Sequence, residues 1–179
     1  MRRTLLAVVA VGTLAVVSAQ TLSAQGVRWG VGAGLLMPMG DYNDIDKMGF
    51  VVGGGGTYWL TGGQLGIRAD LSYGQTSHDG VDGTTKVIGG LASVVYALGP
   101  SASSARPYLM GGLGFYNVDI ETGGVSGSES KIAFGGGVGV SIKMGTGGSR
   151  IFLETRYTNV STDPAWTFLP IVVGVSFGK

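Results

Sequence analysis

The feature that most constrains this chain is a two-residue alternation. Between positions 131 and 144, Ile132, Phe134, Val138, Val140, Ile142 and Met144 hold even positions, while Lys131, Ala133, Gly135, Gly137, Gly139, Ser141 and Lys143 hold odd ones. A period of two is the pleat of a β-strand, whose successive side chains point to opposite faces. One face here is apolar and the other is small or charged. The same pattern returns through the chain with turn residues between repeats, which predicts an all-β fold of antiparallel strands.

Eight segments carry it: about 26–38, 49–60, 65–74, 86–98, 107–118, 131–144, 150–158 and 167–177. In the third, Leu65, Ile67, Ala69, Leu71 and Tyr73 oppose Gly66, Arg68, Asp70, Ser72 and Gly74. In the eighth, Leu169, Ile171, Val173, Val175 and Phe177 share a face, and Pro170 sits near the start, where a missing ladder donor does least harm. The fifth has apolar residues on both parities, so its facing stays open. Thr61-Gly62-Gly63-Gln64 is a hairpin turn. The first, third, fifth and seventh connections read as longer and hold the acids Asp41, Asp44, Asp46, Asp79, Asp82, Asp119, Glu121, Glu129 and Asp163; the others are short and contain none. Glu121 to Glu129 reads as a flexible Gly/Ser loop.

Arg2 and Arg3, an apolar run from Leu5 to Val17, and small residues at Ala19 and Ala24 are the parts of a secretory signal. Residues 1–24 are therefore expected to be a cleavable signal peptide and 25–179 one domain. Cleavage after Ala24 suits the strand pattern, with Ala19 as the other site. A membrane-anchoring helix is the rival reading, but it needs about 20 apolar residues. Later apolar runs are interrupted by glycine, so a membrane-inserted chain must cross as strands, and only a closed barrel satisfies every backbone group in lipid. Outward apolar and inward small or polar residues are the pattern of such a barrel. Trp29, Tyr58, Trp59 and Tyr96 fall near the short-turn end, and Tyr73, Tyr157 and Trp166 near the long-loop end, as two interfacial aromatic girdles require. The predicted fold is an eight-stranded antiparallel up-and-down transmembrane β-barrel.

Composition narrows the function classes. Without Arg2 and Arg3 the chain has ten Lys and Arg against eleven Asp and Glu, a net charge of −1, which argues against a nucleic-acid partner. The chain has no cysteine, which removes disulfide scaffolds and thiolate metal sites. Gly53 to Gly56 lacks the following Lys-Ser/Thr of a phosphate loop. No cofactor is expected.

Four inward charges, Arg68 and Asp70 in the third strand and Glu154 and Arg156 in the seventh, are expected to pair as a lumen network. Their functional reading is a gate or ion path. Their structural reading is a polar filling, since eight strands leave an interior just wide enough for side chains. His78, the one histidine, lies between Ser77 and Asp79. These types make a hydrolase triad, yet neighbours in one loop cannot all converge, so an exposed loop histidine is expected. Asp41-Tyr42-Asn43-Asp44-Ile45-Asp46 carries oxygen ligands for a hard cation but lacks the Gly and distal Glu of a defined calcium loop. A solvated acidic loop is the expectation, and neither a metal site nor a catalytic residue is assigned.

The stretches Leu65–Tyr73, Arg106–Gly114 and Leu169–Phe177 resemble the small eight-stranded outer-membrane β-barrel proteins of OmpA/OmpX type. The resemblance implies a bacterial outer-membrane location, contact with lipid and lipopolysaccharide, and a C-terminal strand, with Gly174 and Phe177, read by the barrel-assembly machinery. Such families end on the aromatic itself, whereas Gly178 and Lys179 follow Phe177 here. The role implied is structural or surface-interactive, with acidic outer loops, an unassigned extracellular partner and no enzymatic activity. A narrow channel for ions or small solutes and a lipid-modifying enzyme are the alternatives. A soluble ligand-binding barrel is disfavoured, because it would turn the four charges outward.

Overall fold

The computed structural model describes residues 26–178 apart from 44–45, 61, 81, 124 and 163–164. The expected signal segment 1–24 and both of its cleavage sites lie outside them. The strands are β1 (Val27–Met39), β2 (Gly49–Trp59), β3 (Leu65–Ser77), β4 (Gly83–Ala97), β5 (Ala105–Thr122), β6 (Val125–Lys143), β7 (Arg150–Val160) and β8 (Trp166–Phe177), with one 3-10 turn at Gly40–Tyr42 after β1. They pair antiparallel in chain order, and β8 closes onto β1 with Trp29 opposite Phe177. Closure removes the open edge that lipid cannot satisfy.

The outward face is set by parity. Leu71, Leu113 and Phe115 are 74%, 65% and 68% exposed, and Val31, Ile67, Ile88, Ile132, Val138, Leu153 and Val173 share that face. These residues form the apolar band that lipid covers. In β5 the odd positions Leu109, Leu113 and Phe115 point out, and the even positions Arg106, Tyr108, Met110, Tyr116 and Val118 are buried, which fixes the facing the sequence left open. Gly62 (φ 93°) and Gly63 (φ 66°) supply the left-handed backbone that the β2–β3 hairpin needs.

The girdles differ from expectation at two residues. Tyr58 and Tyr96 face outward at the end holding both termini, and Tyr73 and Tyr157 face outward at the other. Trp29 packs over Gly56 on the outer face, so closely that a Cβ there would lie 3.1 Å from the indole. Trp59 instead points into the lumen and stacks beneath the Arg106 guanidinium at 4.9 Å. Adjacent strand residues cannot share a face, and Tyr58 already holds the outer one. Trp166 has the inward parity of Phe168 and packs edge-on against Tyr42, with ring centroids 4.4 Å apart. It plugs the lumen and is not a girdle residue.

The segment 121–129 is not a flexible loop. It belongs to a β5–β6 ribbon whose register continues past Asn117–Ser130 to Thr122–Val125. Spanning a bilayer takes about 9–11 tilted residues, and β6 has 19, so these strands extend beyond the apolar band. Above Phe115 and Ile132 the outward positions turn polar: Asn117 bonds Ser128 (2.8 Å) and Ser130 (3.0 Å), and Lys86 pairs with Glu121 at 2.8 Å. As a result, the third and fifth connections, from Ser77 to Gly83 and from Thr122 to Val125, are no longer than those at the other end, while the first, from Met39 to Gly49, is long as expected. The acids still mark the outer end, and the β5–β6 ribbon projects there, as the larger extracellular parts of such barrels do, which leaves the termini on the periplasmic side.

Candidate functional site

The lumen is organised in four layers. Its centre is the expected charge network, assembled from β3 and β7, which stand on opposite walls of an eight-stranded ring. Arg68 grips Glu154 with Nη1 and Nη2 (2.7 and 3.2 Å) and Asp70 through Nε at 2.5 Å. Arg156 reaches Asp70 at 3.1 Å and Glu154 at 3.6 Å. Tyr108 donates a hydrogen bond to Glu154 at 2.8 Å, and Arg156 Nη2 rests 3.2 Å from Met110 Sδ. Two cations and two anions cancel within this belt, and bidentate geometry makes its hydrogen bonds strong. All four predicted residues therefore meet. Gly139 makes room for the belt, since a Cβ there would lie 2.5 Å from the Tyr108 hydroxyl.

Above the belt the filling is apolar. Leu36, Val51, Val87, Leu91, Tyr116, Val118, Ala133, Val160 and Phe168 form one buried cluster beneath Tyr42. Sequence parity marked these positions as inward but did not separate a dry outer half from a polar centre.

A cap closes the outer end. Thr76 donates to Asp46 at 2.6 Å, so Tyr42 donates to Thr76 at 2.7 Å. His78 is buried, contrary to the expected exposed loop histidine, with Nε2 3.2 Å from Thr85 Oγ1 and 3.4 Å from Asp46 Oδ1. An isolated backbone bridge between Asp46 and His78 pulls the β1–β2 loop down and turns the imidazole inward. Ser77 has the opposite parity, and Asp79 pairs outward with Lys47 at 2.8 Å. The three triad residue types therefore do not converge. Burial raises the Tyr42 phenol well above its ordinary range. In the acidic loop, Asp46 is spent on this cap, while Asp44 lies outside the described residues.

Below the belt the inward face carries Arg28, Arg106 and Arg150 around a cavity of about 70 Å³, with Trp59, Tyr108 and Ser141 also lining it. A second cavity of about 70 Å³ lies on the outer side of Arg68, between Asp70, Glu154 and Arg156 of the belt and Val51, Tyr116 and Phe168 of the apolar cluster. The arginines were missed as a group; their signal was inward parity at the turn-proximal ends of β1, β5 and β7. Gly174 also faces the lumen, where a Cβ would clash with Phe152 and with the Val31 carbonyl, so its smallness serves packing in β8.

The sequence matches the family described as outer membrane protein beta-barrel domain over residues 6–177. No curated protein matches it. Among solved structures, the chain resembles Neisserial surface protein A, with a TM-score of 0.65, 18% identity and coverage of 86% of this chain and 97% of that one. It also resembles the N-terminal β-barrel domain of Pseudomonas aeruginosa OprF, at 0.56, 18%, 85% and 98%. Ail, the attachment invasion locus protein of Yersinia pestis, follows at 0.51, 16%, 84% and 95%. At such identities these likenesses establish the fold.

Proposed function

This chain belongs to the outer membrane protein beta-barrel domain family and resides in the bacterial outer membrane, and we propose that within it the protein is a closed barrel with a structural and surface-interaction role. The observation that carries this reading is the charge belt bridging opposite walls beneath a dry outer half. The belt separates the two lumen cavities, which suits a closed barrel better than a path for ions. The rim supports the interactive part. Lys47–Asp79, Lys86–Glu121 and Lys131–Glu129 pair at 2.7–2.8 Å, making the acid-rich end a mixed-charge collar. A collar of both signs at headgroup height suits lipopolysaccharide, whose phosphates meet the lysines and whose bridging cations meet the carboxylates. Strand β8, ending near Phe177, is the element offered to the barrel-assembly machinery. The inward-turned His78 supports a non-enzymatic role.

Planar-bilayer recording tests the reading. The purified barrel is expected to give no single-channel steps, while Arg68→Ala combined with Leu91→Ala gives a leak. Regular conductance steps from the unmodified protein would replace this reading with the narrow-channel alternative.

A further inference from the structure

The periplasmic third of the lumen holds cationic charge that no carboxylate of the described residues neutralises. Arg106 and Arg150 are 7% and 6% exposed. Among the described residues no carboxylate pairs with Arg28, Arg106 or Arg150, because Asp70 and Glu154 are already engaged by Arg68 and Arg156. The three arginines donate instead to uncharged acceptors, mostly backbone carbonyls of the periplasmic turns. Arg28 bonds Gly148 at 2.7 Å, and Arg106 bonds Gly63 and, at 3.4 Å, Gly99. Arg150 bonds Ser141 Oγ at 2.8 Å and the Ser103 carbonyl at 2.9 Å. Carbonyl dipoles orient a guanidinium without cancelling its charge, and a cavity with low-dielectric walls focuses that charge. Buried ions are ordinarily paired. A recess of about 280 Å³ at the periplasmic end, lined by the same arginines with Trp59, Gly63 and Ser101, adjoins this cavity and forms its mouth in the vestibule proposed below.

We propose that this vestibule is an anion-binding site for a phosphate group, entered from the periplasm and held by Arg28, Arg106 and Arg150. The contacts above leave the Nε and Nη2 of Arg28 and the Nη1 of Arg106 and of Arg150 to meet an oxyanion, which guanidinium donors suit, and the Ser141 hydroxyl, which accepts from Arg150, keeps its own proton to donate. The inner cavity is far smaller than the roughly 300 Å³ at which drug-sized ligand pockets begin. It therefore admits a free phosphate ion or the terminal phosphate of a larger molecule whose remainder stays in the mouth. The site is independent of the closed outer half, since binding needs access from one side only.

The test titrates sodium phosphate against folded, neutral-detergent-solubilised barrel and reads phosphorus NMR line width together with the unfolding temperature, against sodium chloride at equal ionic strength. A parallel arm replaces free phosphate with micelles containing phosphatidic acid, compared with phosphatidylcholine. Saturable broadening and a rise in unfolding temperature are expected, with Arg28→Gln, which gives up a single turn contact, weakening the half-saturation point by about tenfold or more. A response to free phosphate identifies a soluble anion, and a response confined to phosphatidic acid identifies a lipid headgroup. No response in either arm, or an Arg28→Gln barrel that responds as the parent does, would overturn the site and leave the arginines as ties for the turns. The line-width measurement on the parent barrel stands even where a variant fails to fold.

Discussion

The outer and periplasmic halves of the lumen share one parity rule and fill their space in opposite ways. Above the charge belt, Leu36, Val51, Val87, Leu91 and Phe168 pack to near-zero exposure under a cap of Tyr42, Trp166 and Asp46. Below it, Arg28, Arg106 and Arg150 stand around a cavity and bond the turns that close the barrel. An inward position is therefore not polar by rule. In the outer half it is mostly apolar, and in the periplasmic half three arginines stand beside a smaller apolar cluster of Val95, Ala97, Tyr108 and Met110. The belt between them faces both environments and is neutral, which lets four charges lie inside a narrow barrel.

The sharpest way to break this contrast is to unbalance the belt. Arg68→Leu leaves Glu154 and Asp70 without their main partner and is expected to cost about 3–5 kcal/mol, read as a lower unfolding midpoint in urea by the gel mobility of folded barrel. Arg68→Leu with Glu154→Leu is expected to recover part of that loss, because no single charge is stranded. A double variant as unstable as the single one would show that packing, not charge balance, dominates. Next, Leu91→Ala in the dry half is expected to cost about 2–4 kcal/mol through the void it leaves, and water filling that void without loss would contradict a dry outer half.

At the cap, Tyr42→Phe removes the hydrogen bond to Thr76 and is expected to cost about 1 kcal/mol. Because burial raises the Tyr42 phenol, its neutral form is the folded one. The corresponding stability is intact below the ordinary tyrosine value of about 10 and is lost as pH rises above it; Tyr42→Phe is expected to flatten that alkaline decline. The smallest effect is expected at the periplasmic mouth. Arg106→Gln releases turn carbonyls that water then satisfies, for roughly 0.5–1 kcal/mol. A loss as large as that of Arg68→Leu would mean that the vestibule is as dry as the outer half.

The alternation made the architecture legible, and it did so best where both faces meet distinct solvents. In β3 and β6 lipid outside and a crowded lumen inside force clean parity, and the meeting of Arg68, Asp70, Glu154 and Arg156 followed from it. Legibility failed where that contrast vanishes. Beyond the membrane the outward face of β5 and β6 is polar, and past Val118 and Ile120 the ribbon is mostly Gly, Ser, Thr and Glu, so Glu121 to Glu129 carries the composition of a loop while pairing as a ribbon. Aromatic identity was also ambiguous: Trp59 and Trp166 have the chemistry of girdle residues, and only their parity with Thr57 and Phe168 turns them inward. His78 was hidden for another reason. Its parity is the inward one of Asp70, Ser72 and Thr76, but Gln75 to Asp79 has the composition of a loop, which hid both the continuation of β3 to Ser77 and the bridge from His78 to Asp46.

The lumen asymmetry is tested most directly by cysteine reactivity, since the chain has no cysteine of its own. Thr57→Cys lines the periplasmic cavity, and Val87→Cys lies in the outer cluster at 2% exposure in the parent. With a charged, membrane-impermeant thiol reagent on folded barrels, Thr57→Cys is expected to be labelled and Val87→Cys to stay unmodified until the barrel is unfolded. Comparable labelling of both in the folded state would contradict a lumen closed at its outer half and open toward the periplasm.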